Sequence, residues 1–155
     1  KVTEVFAEVL RRVRGIDFSE LDSVEKLIDL IRLLPSDTSC FQAFLVNALD
    51  YEKRDSGPKD EFRHPNETIF SGWADCDDYV VLNHFEAWLH GRDPRVIKIA
   101  REDRSHIFVW YEDENSETVI LDNTRFERLT SGQTVEDYID NRHRGFEICV
   151  NEKMN

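Results

Sequence analysis

The chain has 155 residues, of which 40% are hydrophobic, and its mean hydropathy is −0.55. This length suits one domain with one core, and no stretch approaches the roughly 18 apolar residues of a membrane-spanning helix. With 20 basic and 32 acidic residues the net charge is −12, which argues against nucleic acids and anionic membranes as partners because both require a basic surface. The acidity is most simply explained by solubility.

Three amphipathic helices are predicted in the N-terminal third. Apolar residues recur at helical spacing over residues 2–14, and Gly15 ends that segment. A second helix is predicted from about Ser23 to Leu34, where the following proline prevents its continuation. A third helix is predicted to begin near Ser39.

A long polar connection and a fourth helix follow. The connection runs from Asp50 to Asn66 and contains glycine and proline residues. The fourth helix is predicted to begin at Cys76 or just after it, and to end at Gly91. Its first turn is of interest because the N–H groups at a helix start have no partner within the helix.

Strands are predicted mainly in the C-terminal half. Alternating and β-branched patterns predict strands from Arg95 to Ala100, from Ile107 to Tyr111 and from Thr118 to Leu121, and the last two are joined by a hairpin loop from Glu112 to Glu117. A short helical turn is predicted from Val135 to Tyr138, and a further strand from Phe146 to Val150. Helices followed by strands indicate an α+β fold with an antiparallel sheet. We expect one domain over 1–155, in which 1–40 form a helical N-terminal extension and 41–124 carry the candidate site.

The three cysteines give no sign of a disulfide or zinc framework. Cys40, Cys76 and Cys149 lie far apart and form no CxxC pair, and the histidines show no ligand spacing with them. Cys40 and Cys149 have apolar neighbours, so we expect both to be buried packing thiols. Unpaired thiols and the lack of a secretory signal in the first residues favour a reducing, cytoplasmic location.

One ordered trio of residues indicates chemistry. Cys76 stands at the predicted start of the fourth helix, His106 opens an apolar strand, and Asp122 closes the next one. A cysteine is a nucleophile, a histidine can activate it and an aspartate can orient the histidine. We expect the helix start to lower the pKa of the Cys76 thiol and its N–H groups to stabilise an oxyanion.

Acidic neighbours of the cysteine oppose this effect. Asp75, Asp77 and Asp78 should raise the pKa of the thiol by charge repulsion. Two of them have structural explanations, because Asp75 suits an N-cap and Asp77 or Asp78 suits a first helical turn. A bound cation would offset the repulsion, and oxygen ligands would select a hard cation such as Ca²⁺.

These segments resemble the transglutaminase-like cysteine protease superfamily, and most closely its bacterial LapG-like members. The resemblance extends from Val46 to Thr124 and rests on an ordered set of short motifs: Val46-Asn47-Ala48-Leu49-Asp50-Tyr51, Pro65-Asn66-Glu67, Gly72-Trp73-Ala74-Asp75-Cys76-Asp77-Asp78-Tyr79, Ser105-His106 and Leu121-Asp122-Asn123. The family commonly has Gly-Asp-Cys-Glu-Asp around the cysteine, and this chain differs by having Ala74 and Asp77. Residues 1–40 carry no such motif.

The resemblance implies a papain-like core with Cys76 as nucleophile, His106 as general base and then acid, and Asp122 as orienting residue. It implies cleavage of peptide or amide bonds in a protein or peptide substrate through a thioester, with no cofactor needed for the chemistry. In LapG-like members, acidic residues beside the cysteine bind calcium, which makes Asp75 and Asp77 candidate calcium ligands. Those relatives are periplasmic, so the resemblance and the thiol argument point to different compartments.

Several alternatives stay open. An acyl transferase would use the same triad, with an amine in place of water. A catalytically inert binding module and a metal-binding protein built on the acidic cluster are further hypotheses. Gln42 is a candidate oxyanion donor or a solvated helix residue, and Trp73 either shapes the cleft or packs in the core. The substrate and the oligomeric state are not indicated.

Overall fold

A five-stranded antiparallel sheet is the centre of the structure, a computed structural model that describes residues 22–52 and 63–153. Its strand order is β6-β5-β4-β3-β7. The strands are β3 (Arg95–Arg101), β4 (Arg104–Glu112), β5 (Thr118–Asp122), β6 (Arg125–Arg128) and β7 (Glu147–Glu152). The predicted α+β fold with an antiparallel sheet is therefore confirmed.

Five helices and a short parallel strand pair complete the described part of the chain. They are α1 (Val24–Leu33), α2 (Thr38–Ala48), β1 (Asp50–Tyr51), α3 (Pro65–Ser71), β2 (Trp73–Ala74), α4 (Cys76–Leu89) and α5 (Val135–Arg142). β1 pairs with β2. The helices predicted after Ser23, near Ser39 and at Cys76 correspond to α1, α2 and α4. The helix predicted over 2–14 lies outside the described residues.

Three regions differ from the sequence expectation. The polar connection from Asp50 to Asn66 contains β1 and the start of α3, with 53–62 outside the described part. The turn predicted at Val135 to Tyr138 extends to Arg142, since Thr134 and Asp137 form a capping box that nucleates a full helix. β6 was not predicted because only one of its four residues is apolar.

The sheet is covered on both faces. On one face Val109 and Leu121 pack with Val80 and Ala87 of α4. On the other, Phe108 packs with Tyr138 of α5. Burial on both sides explains why these strands are nearly continuous apolar runs.

A separate helical cluster joins α1, α2 and α4. Leu27, Ile31, Phe41, Phe44 and Leu82 are all buried there. Residues before 41, predicted as an extension, thus contribute to the same core that supports α4. This packing fixes the N-terminal end of α4, where Cys76 lies.

Candidate active site

Cys76 is the first residue of α4, as predicted. Asp75 is the N-cap: its side chain accepts a hydrogen bond from the Asp78 backbone N–H, and the Asp78 carboxylate accepts one from the Asp75 N–H. This capping box sets the start of the helix one residue before the thiol. The Cys76 side chain is half-buried.

The pKa of Cys76 moves in the opposite direction to the expected lowering. Burial of the thiol, followed by the negative charges of Asp77 and Asp75, raises its pKa to about 12, against a smaller lowering by backbone N–H groups. The helix start therefore does not outweigh desolvation and charge repulsion. In this environment the thiol is protonated at neutral pH, so reaction requires a base or a nearby cation.

His106 and Asp122 form the contact that the sequence predicts. His106 Nε2 lies 2.5 Å from Asp122 Oδ1. Asp122 is the last residue of β5, and His106 is near the start of β4. With Nε2 directed at the carboxylate, Nδ1 is the ring nitrogen left to receive a proton from a thiol.

Two further donors bind the same carboxylate, and sequence analysis missed both. The Tyr138 hydroxyl donates to Asp122 Oδ2 at 2.7 Å, and His143 Nε2 lies 2.7 Å from the same oxygen. Burial would raise the pKa of Asp122, but the hydrogen bonds from His106 and His143 outweigh it and hold the pKa well below its usual range. Asp122 is therefore an ionised buried carboxylate with three donors.

Cys76 and the histidine–aspartate pair are carried by elements on different faces of the sheet. Side chains alternate along a strand, so His106 shares the α5 face with Phe108, whose ring centroid is 6.1 Å away. α4 packs on the opposite face. Within 22–52 and 63–153, Cys76 Sγ forms no hydrogen bond with His106.

The β4–β5 ladder ends before the two site residues. Its last pair is Val109–Leu121, so neither His106 nor Asp122 takes part in the pairing between these strands. Tyr51 of β1 responds to charges from both parts of the candidate site. Burial raises its pKa first, and the charges of Cys76, Asp75, Asp77 and Asp122 raise it further. Both the thiol and the carboxylate therefore act electrostatically on Tyr51. The direct cooperation of Cys76 with His106 and Asp122 stays a prediction.

Gln42 lies in the interior, which contradicts one of its two predicted settings. It is buried, with its amide 2.5 Å from Asn83 Oδ1, and Asn83 Nδ2 donates to the Asn123 carbonyl at 3.0 Å. The reversed orientation of the Gln42 amide would also bring its nitrogen within 3.0 Å of that carbonyl. Gln42 and Asn83 therefore hold the turn after Asp122, and the solvated position expected for Gln42 is wrong. An oxyanion role for Gln42 stays a prediction.

Trp73 lies beneath an arginine next to the cysteine segment. The Arg63 guanidinium is 3.8 Å from the centre of the Trp73 ring and donates to the Trp73 carbonyl at 2.8 Å. Arg63 also binds both carboxylate oxygens of buried Asp78. These contacts brace the start of α4 and leave the cleft-shaping role of Trp73 a prediction.

Asp75 and Asp77 supply oxygen ligands of the kind that calcium prefers. Both negative charges raise the pKa of Cys76, and burial with the charge of Asp78 raises the pKa of Asp75 itself. A hard cation would offset this repulsion. The donor chemistry is compatible with calcium, and calcium binding at Asp75 and Asp77 stays a prediction.

The other two cysteines are unlike each other. Cys40 is buried, as expected, whereas Cys149 is exposed on the edge strand β7. The expected burial of Cys149 is wrong because β7 is an edge strand of the sheet, and all of its residues are exposed, including the apolar neighbours Ile148 and Val150.

Comparison with known proteins identifies the fold. No protein-family profile and no curated protein matches the chain. Among solved structures, LapG from Legionella pneumophila aligns with 100% of this chain and 85% of its own, with a TM-score of 0.58 and 17% identity. Its calcium-bound form gives a TM-score of 0.59 and 19% identity over 84% of its length. No helix in the described ranges is long and apolar enough to cross a membrane. The chain therefore has the fold of LapG.

Proposed function

We propose that this protein is a thiol-dependent hydrolase that cleaves peptide or amide bonds with Cys76, His106 and Asp122. The observation that carries the proposal is the hydrogen bond between His106 Nε2 and Asp122 Oδ1. His106 and Asp122 lie on neighbouring strands of a LapG-like fold, in which helix α4 begins at Cys76. The resemblance of the cysteine motif to transglutaminase-like cysteine proteases supports the same assignment.

Because the pKa of the Cys76 thiol is raised, the proposed reaction needs His106 to remove the thiol proton. His106 Nδ1 would accept the Cys76 proton as the sulfur attacks the substrate carbonyl, and Asp122 would stabilise the resulting imidazolium. The imidazolium would then protonate the leaving amine. Backbone N–H groups at the start of α4 are the candidate oxyanion donors. Water would release the thioester as an acid; an amine would give acyl transfer instead.

Substitution of the two reacting side chains tests the proposal. We expect Cys76→Ala and His106→Ala each to abolish turnover of a fluorogenic peptide library, because nucleophile and base act as one unit. His64→Ala, at an exposed N-cap of α3, is the matched histidine control, and Cys149→Ser is the thiol control. Full activity in Cys76→Ala would overturn the proposal. Circular dichroism should show that every variant is folded.

We also assign calcium to Asp75 and Asp77, as the calcium-bound LapG structure suggests by analogy. A cation there would supply positive charge beside the thiol and lower its pKa. In a Cys149→Ser background, calcium should therefore accelerate iodoacetamide labelling of Cys76 near neutral pH, and EGTA should reverse this. Asp77→Asn should label faster than the parent in EGTA and respond less to calcium. An unchanged melting temperature and labelling rate in millimolar calcium would remove the metal assignment and leave the triad intact.

A further inference from the structure

A second histidine at the candidate site contacts Asp122 but transfers no proton in the proposed hydrolysis. His143 follows α5 as its C-cap residue, and its Nε2 shares the carboxylate of Asp122 with His106 Nε2. One ring nitrogen of each histidine and one carboxylate oxygen lie within 4.8 Å of one another. An ordinary triad needs one imidazole for its carboxylate, so the second requires its own explanation.

We propose that His106, Asp122 and His143 form a binding site for a divalent transition-metal ion such as Zn²⁺. Two imidazoles and one carboxylate suit zinc and its neighbours, in contrast to the all-oxygen set that calcium prefers. Bond lengths of about 2.0–2.1 Å place tetrahedral zinc ligands about 3.3 Å apart. The contact of 2.5 Å between His106 Nε2 and Asp122 Oδ1 would lengthen on binding. His143 Nε2, now 2.7 Å from Oδ2, would turn toward the ion, and all three ligand atoms already lie within 4.8 Å of one another.

The surroundings of the cluster support coordination. The Tyr138 hydroxyl donates to Asp122 Oδ2, so it can orient the carboxylate while Oδ1 binds the ion. The His143 ring is stacked on Phe108 at 6.0 Å and meets Phe146 edge-on at 5.9 Å. These rings fix the direction of Nε2. Both histidines keep about a fifth of their surface exposed, 17% and 20%, which gives an ion access.

Metal occupancy would switch the hydrolase off. An ion on His106 Nε2 and Asp122 removes the carboxylate from its orienting role and prevents His106 from becoming an imidazolium. This consequence rests on the proposed function, whereas the metal site itself does not. The sequence predicts no zinc site because the histidines show no ligand spacing with the cysteines. The site proposed here contains no cysteine, so that argument does not apply to it.

Direct binding tests the site without reference to activity. Full-length Cys149→Ser protein would be titrated with Zn²⁺ against a chromophoric chelator, and with Co²⁺ by visible spectroscopy. We expect one equivalent to bind, and His143→Gln to weaken it by at least about tenfold. Asp122→Asn should do the same, and His64→Gln should bind like the parent. Both weakened variants would be checked for folding by circular dichroism.

A further variant separates this site from a cysteine–histidine bridge. Cys76→Ser should bind Zn²⁺ as tightly as the parent, and the Co²⁺ complex should lack a thiolate charge-transfer band. Undiminished binding in folded His143→Gln, or loss of binding in Cys76→Ser, would overturn the proposal. In parent protein, one equivalent of Zn²⁺ should inhibit peptide cleavage. If peptides are not cleaved at all, the binding result still decides the metal site, and the proposed function alone fails.

Discussion

The carboxylate of Asp122 is the residue on which the candidate site depends. A buried carboxylate is stable in its ionised form only when donors replace water. Here His106, His143 and Tyr138 do so, from one strand and one helix. The sequence predicted the first donor from the order of His106 and Asp122. It offered no signal for the others, because neither His143 nor Tyr138 stands in a recognisable motif.

Loss of the tyrosine hydroxyl should weaken the fold around this carboxylate. We expect Tyr138→Phe to lower the free energy of unfolding by about 1–3 kcal/mol, because Asp122 Oδ2 loses a buried donor. Urea denaturation would measure the change. Tyr79→Phe is the matched control, since Tyr79 is equally buried and its hydroxyl has no hydrogen bond within the described residues. Equal losses in the two variants would contradict the role given to Tyr138.

Among the elements, α4 was the most predictable in position, but the pKa shift of its first residue, Cys76, was opposite to the predicted one. The spacing Asp75-x-x-Asp78 and the apolar face fix its start, and Gly91, in the left-handed conformation at φ 75°, marks its end. Charge effects around it depend on burial, which periodicity does not reveal. The position of Cys76 could therefore be predicted from the sequence, whereas the sign of its pKa shift depends on tertiary packing.

Glu86 shows the same dependence on burial. Its side chain is fully buried in α4, with Oε1 2.9 Å from His90 Nδ1 and 3.5 Å from Arg92 Nη1. Burial raises its pKa from 4.5 to about 7, in spite of the opposing charge of Arg92. The folded state thus holds the proton more tightly than the unfolded chain. The stabilisation is complete below about pH 4.5 and is lost as the pH rises through 7.

Replacing this carboxyl with an amide should remove the pH dependence that it causes. We expect Glu86→Gln to match the parent near pH 4.5 and to exceed its unfolding free energy by about 2 kcal/mol at pH 8. The difference between the two proteins is the quantity to measure, since burial lowers the pKa of His90 and that shift acts in the opposite direction. A gap between the proteins that does not widen with pH would rule out this account of Glu86.

At the scale of the whole molecule, the site joins segments that are distant in the chain. The sheet brings β4 and β5 together, and α5 returns on one face while α4 covers the other. Strand content and the α+β class follow from local patterns. The meeting of His143 with Asp122 does not, because it depends on how the chain reverses after β6. Edge position likewise explains why β7 and its Cys149 are exposed.

We expect the net charge to favour cationic substrates over anionic ones. The chain carries a charge of −12, and Asp75 and Asp77 place negative charge beside the candidate nucleophile. Such a field attracts cationic partners and is screened within about 10 Å at 0.1 M salt. If the hydrolase assignment holds, kcat/KM for a lysine-flanked peptide should fall roughly tenfold between low and high salt. For a glutamate-flanked peptide with the same central residues, kcat/KM should instead rise or stay unchanged as the salt concentration increases. Parallel salt profiles for the two peptides would show that substrate selection comes from contacts in the cleft, because long-range attraction would separate them.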